Sequence, residues 1–149
     1  ERAKRVIFSK PFLKGDSLWV ITLKEHPIKD IDELKNQKVV VNQGYTADRY
    51  MSEKKDIELV RLGTVADALL ALNSGRAYAF VSGRHCLEPY FETHSKEPYH
   101  FFSIDDAQED IAFAIAPYYK KLAHAIDTTL NAMEKDGTIE ALKQKWKLS

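Results

Sequence analysis

A chain of 149 residues with 44% hydrophobic and 30% charged side chains has enough apolar content for a core and an ordinary solvated surface. It makes one typical domain or two small lobes. Its 22 Lys and Arg balance 22 Asp and Glu, and no basic tract carries interleaved aromatics, so nucleic acid and anionic lipid are disfavoured as partners.

No apolar run approaches the roughly 20 residues that span a bilayer, and no signal-peptide pattern is visible. The opening, Glu1-Arg2-Ala3-Lys4-Arg5, lacks Met and reads as a processed or excised piece, so a missing leader does not argue for a cytoplasmic home. Cys86 is alone and fixes no redox compartment.

In chain order, Val6-Ile7-Phe8 and Leu18-Trp19-Val20-Ile21 read as short strands separated by Pro11 and Gly15. Asp30 and Glu33 have capping-box spacing and open a short helix through Leu34. A strand is expected over 38–42, a helix over 46–55 and a strand over 57–62. Thr64 caps the clearest helix, whose Val65, Ala68, Leu69 and Leu72 recur at helical spacing until Asn73-Ser74-Gly75 stops it. Tyr78–Val81 is a buried strand, followed by a helix from Arg84 to about Phe91. Tyr99–Phe102 and Ile111–Ile115 are two further strands. A long helix over 118–135 carries Leu122, Ile126, Leu130 and Met133 on one face. Asp136-Gly137-Thr138 ends it and starts another helix bearing Ile139, Leu142 and Trp146.

Strands alternating with helices point to α/β architecture with a largely parallel sheet. In such sheets ligands collect beyond the carboxyl ends of strands, where Gly44–Thr46 and Ser82-Gly83 both fall. Asn42-Gln43-Gly44-Tyr45-Thr46-Ala47-Asp48 is the most informative of these stretches. It orders strand, Gly turn and helix start, so unpaired N–H groups and the positive dipole end face whatever lies above the strand. Such a place suits a carboxylate or phosphate. Thr46 is well typed for the N-cap. The plainer reading is that many βα turns bind nothing, and that Asp48 itself supplies the negative charge.

Four stretches in register resemble the family 3 extracellular solute-binding proteins, periplasmic receptors for polar amino acids that serve ABC importers. They are Glu1–Phe12, Ile31–Thr46, Ala68–Val81 with Gly75-Arg76, and Asn131–Trp146 with Asp136-Gly137-Thr138 and Lys145-Trp146. The resemblance spans the chain and implies the two-lobed type II periplasmic-binding-protein architecture. One lobe, residues 16–108, is expected to be complete, and 1–15 with 109–149 to be part of the other. A missing segment, a second chain or an intertwined homodimer is then expected to cover the face of Leu122, Ile126 and Leu130.

The resemblance also implies site residues. Arg2 aligns with the arginine that grips a ligand carboxylate, for which paired guanidinium donors are suited. Gly44 and Thr46 align with the carboxylate contact from the complete lobe, and Tyr45 either caps the cleft or packs. Gly83 departs from the pattern, because the family has there an aspartate that pairs with the ligand ammonium; Tyr78 replaces a second acid. An unpartnered desolvated ammonium is costly. The ligand is therefore an anion without an amine, or another acid substitutes, or no small molecule binds.

No metal site is expected from the scattered His26, His85, His94, His100 and His124, and no cofactor. Trp19 and Trp146 are expected to pack. The leading reading is an extracytoplasmic, non-enzymatic binding protein with an ABC permease as partner. The alternatives are a sensor fused to a signalling domain of histidine kinase or diguanylate cyclase type, and, behind it, a cyclohexadienyl dehydratase-like enzyme, for which no acid–base pair can be named.

Overall fold

The computed structural model describes residues 5–146 and 148, the side chains at 14–16 and 105–109 excepted. The chain divides into two compact units, one of residues 1–15 with 109–149 and one of residues 16–108.

The 16–108 unit is built on a five-stranded sheet. Its strands include β2 (Leu13–Leu23), β3 (Lys38–Asn42), β4 (Glu58–Leu62), β5 (Ala79–Gly83) and β6 (Tyr99–Ile111), in the order β4-β3-β5-β2-β6. The parallel trio β4-β3-β5 continues into β2, which runs antiparallel to β5 with Trp19 opposite Ser82. The sheet is therefore mixed, not largely parallel. A single strand over 99–111 also replaces the expected pair, whose second member reduces to Ala114–Ile115. Gly15 lies inside β2 instead of ending a strand.

Period-2 alternation sends successive side chains to opposite faces. Val39 and Val41 join Leu18, Val20 and Val81 on one face, under Ala47 and Met51 of α1 (Thr46–Ser52). Val40, Phe80 and Ile21 face the other way, under α2 (Val65–Asn73) and α3 (Arg84–Phe91). The valine run reads as continuously apolar because both faces are covered. Each such side chain contributes roughly 1.5–3 kcal/mol when fully buried.

Local chemistry sets the ends. Asp30 and Glu33 form the reciprocal capping box of a 3-10 turn at Ile31–Leu34. The Thr64 hydroxyl accepts the Asp67 N–H at 3.0 Å and caps α2. Helix α1 stops at Ser52, three residues before the expected 55.

In the other unit, β1 (Ile7–Phe8) pairs antiparallel with β7 (Ala114–Ile115), and Phe12 stacks on Phe113 at 4.8 Å. Helix α4 (Lys120–Lys135) is tied to the 7–10 segment through the Lys10 N–H, which donates to Asp127 Oδ1 at 2.7 Å. It is followed by α5 (Thr138–Lys145), entered through Gly137 at φ +82°. On α4 Leu130 is buried, Ile126 half-buried and Leu122 half-exposed. Trp146 is 65% exposed, against the expectation that it packs.

Candidate functional site

Parallel pairing of β3 and β5, with Val41 opposite Val81, brings the residues after both strands to one edge of the sheet. Gly44, Tyr45 and Thr46 thereby meet Gly83 on the same edge. Arg2 lies outside the described residues.

The turn closes with the Tyr45 N–H donating to the Asn42 carbonyl at 3.2 Å, and Gly44 takes φ +78°. A Cβ at Gly44 would meet nothing within 4 Å, so the positive φ, not crowding, is what favours glycine there. Tyr45, not Thr46, is the N-cap residue of α1, and its side chain makes no cap hydrogen bond. Thr46 is the first helical residue. Tyr45 is 54% exposed, so it does not serve as a packing residue.

The expected free N–H at the turn is occupied from within. Asp48 Oδ2 accepts the Gly44 N–H at 2.9 Å, while Oδ1 accepts from Arg61 Nε at 2.8 Å. Arg61 stands on β4 opposite Val41, and its Nη2 donates to Ser52 Oγ at 2.9 Å. The Gly44 N–H, followed by the Arg61 guanidinium, holds the Asp48 carboxyl below its usual range. An internal carboxylate thus takes one of the donors that an incoming anion would use.

Two buried polar residues lie beneath the turn. Ser82 Oγ donates to Asn42 Oδ1 at 3.5 Å, and the Gln43 N–H donates to the Leu62 carbonyl at 3.0 Å. The sequence reading named Asn42 and Ser82 at these strand ends but gave neither a role. Their signal was a polar residue ending each of two otherwise apolar runs, Val39–Val41 and Ala79–Val81.

Gly83 is buried and precedes α3 as its N-cap without a side-chain cap. Arg84 follows, donating from Nε to Glu88 Oε1 at 2.7 Å with its guanidinium 5.8 Å from the Trp19 ring centre. Glu88 is therefore tied to a cation on its own helix. Tyr78 lies at the other end of β5, its N–H donating to the Lys38 carbonyl at 2.8 Å. Among the described residues no cluster of three His, Cys, Asp or Glu is arranged for a metal ion. His85 Nε2 does approach Cys86 Sγ at 3.2 Å.

The sequence profile described as bacterial extracellular solute-binding proteins, family 3, matches residues 1–149. The chain belongs to this family. The family 3 chain is 25% identical over 154 residues to the putative ABC transporter arginine-binding protein 2 of Escherichia coli K12, covering 98% of this chain and 61% of that protein. It is 28% identical over 157 residues to the glutamate/aspartate import solute-binding protein of the same organism, covering 98% and 50%. Among solved structures, a mutant of ArgBP from T. maritima superposes with a TM-score of 0.83 at 26% identity, over 97% of this chain and 63% of that one. The architecture is that of the type II periplasmic binding proteins. The family 3 chain spans between half and just under two-thirds of the length of these relatives.

Proposed function

We propose that this family 3 chain is the ligand-binding part of an extracytoplasmic receptor that closes around a small carboxylate or amino-acid-like solute and delivers it to an ABC importer. The observation that carries this reading is the convergence of Gly44–Thr46 and Gly83 at the carboxyl ends of two adjacent parallel strands, in a chain whose whole length matches the family. In this reading residues 16–108 form one lobe. Residues 1–15 and 109–149 belong to the other, and Arg2 supplies the second grip on the carboxylate. Ligand bridging the lobes would shift a hinged equilibrium toward closure.

Asp48 already holds the Gly44 N–H and the Asn42 carbonyl already holds the Tyr45 N–H, so in this reading a ligand carboxylate competes with internal acceptors at the turn. Gly83 supplies no counter-charge for an ammonium, so an amine-free carboxylate fits this edge better than a zwitterion. Isothermal titration with L-arginine, L-glutamate and succinate tests this. Succinate is expected to bind, and the Gly83→Asp variant is expected to lose it by about tenfold or more. Tight binding of either amino acid by the unaltered chain would overturn the ligand class while leaving the receptor reading in place. Binding of none of the three would overturn both.

The absent acid at Gly83 also favours a second reading, a sensory module of a membrane receptor. A membrane span and signalling domain continuous with this sequence in its gene product would select that reading. Turnover of prephenate by the chain would instead select a dehydratase.

A further inference from the structure

A cavity of about 530 Å³ opens at the opposite edge of the 16–108 sheet, where β3 and β5 begin. Five residues of strand separate it from the Gly44 and Gly83 edge, about 15 Å. Leu23, Leu72 and Ala77 line its apolar part, and Lys38, Arg76 and Tyr78 its polar part, with Glu25 and His26 also on the wall.

Position and charge single out Arg76. Helix α2 ends in a left-handed Gly75 at φ +68°, and the Arg76 N–H donates back to the Ala71 carbonyl at 2.9 Å, which fixes where that side chain starts. Lys38 pairs with Glu58 at 3.3 Å, and His26 lies 3.9 Å from Glu25. Arg76 has only a neutral partner, its Nε donating to Ser74 Oγ at 2.9 Å. Among the described residues no carboxylate pairs with its guanidinium, and the Tyr78 hydroxyl makes no hydrogen bond. The cavity thus combines one uncompensated cation with a half-buried phenol and an apolar wall. Its volume is that of small-molecule sites, about 300–1,000 Å³.

We propose that this cavity is a second ligand site, taking a small monocarboxylate with an apolar body. The carboxylate sits on the two Nη groups of Arg76, a match of paired donors to a planar acceptor. The apolar body lies against Leu23, Leu72 and the Tyr78 ring. Six of the residues that line it, Glu25, His26, Lys38, Asn73, Gly75 and Arg76, are exposed, so affinity is modest, with a dissociation constant on the order of 1 mM. The site is independent of the receptor reading.

The test is a titration of the ¹⁵N-labelled 149-residue chain with phenylacetate, using 2-phenylethanol as the uncharged counterpart. The expected result is saturable shifts centred on Leu72–Tyr78 and Lys38, with 2-phenylethanol weaker by about tenfold. Arg76→Gln is expected to weaken phenylacetate by about tenfold, and Arg76→Lys by less, since it keeps charge but not paired donors. Glu25→Gln is expected to tighten it about twofold by removing a like charge. Arg76 is exposed, so both Arg76 variants should retain the parent spectrum. Absence of saturation, shifts centred on Gly44–Thr46 or Gly83, or unchanged affinity in Arg76→Gln would each overturn the proposal.

Discussion

Asp48 shows how one side chain redirects a motif. A Gly turn before a helix looks like an empty anion site, yet the carboxylate four residues on folds back to the Gly44 N–H and is held there by Arg61 and Ser52. Its depressed pKa means that its contribution to stability is in place above the usual carboxylate value, about 4. That contribution is lost as pH falls through the lower folded value. Asp48→Asn is therefore expected to cost about 1–2 kcal/mol in urea unfolding at pH 7. The half-exposed Arg61 places the effect toward the lower figure. The gap between variant and parent should narrow toward pH 3, and an equal gap at both pH values would show that the charge is not responsible. Gly83 belongs to the same scale: in the proposed function, the lack of a carboxylate at this position sets the class of ligand that the edge accepts.

At the scale of elements, the features readable from sequence were those set by contacts within four residues. The Asp30–Glu33 capping box, the Thr64 cap and the full extent of α3, Arg84–Phe91, all depend on neighbours in the chain. Replacing Thr64 by Ala removes the acceptor for the Asp67 N–H and is expected to cost about 1 kcal/mol, seen as a lower thermal midpoint. A change below about 0.3 kcal/mol would mean that solvent replaces the cap. What was misread depends on distant partners. The strand direction of β2 and the continuity of β6 through residues 103–110 follow from pairing, which has no local signature, and the N-cap falls at Tyr45, one residue before the expected Thr46. The buried hydrogen bond between Asn42 and Ser82 was not foreseen for the same reason. A polar residue at a strand end is ordinary until the neighbouring strand buries it.

At the scale of the molecule, the 1–15 and 109–149 unit is rich in uncovered apolar groups: Phe8, Phe113, Tyr118, Tyr119, Leu122, Leu142 and Trp146 are all exposed. Patches of this kind mark interaction surfaces. Of the face expected to need a cover, Leu130 is buried and Ile126 half-buried within the single chain, which leaves Leu122 exposed; a cover over the remaining exposed groups is a proposal, and fluorescence of Trp146 tests it. In a Trp19→Phe variant the remaining Trp146 is expected to be strongly quenched by acrylamide and red-shifted. Weak quenching at concentrations where the chain is assembled would show that a second copy covers it.

Periodicity, capping residues and the order of motifs were enough to establish an α/β chain of this family, because burial pattern and helix ends are written in neighbouring residues. The meeting of Gly44 with Gly83 and the cavity beside Arg76 arise from strand pairing between segments some forty residues apart, whereas the capture of the turn by Asp48, four residues from Gly44, was open to reading in the sequence. Such pairing rests on shape and hydrogen-bond fit across the whole sheet, which no local stretch of sequence records.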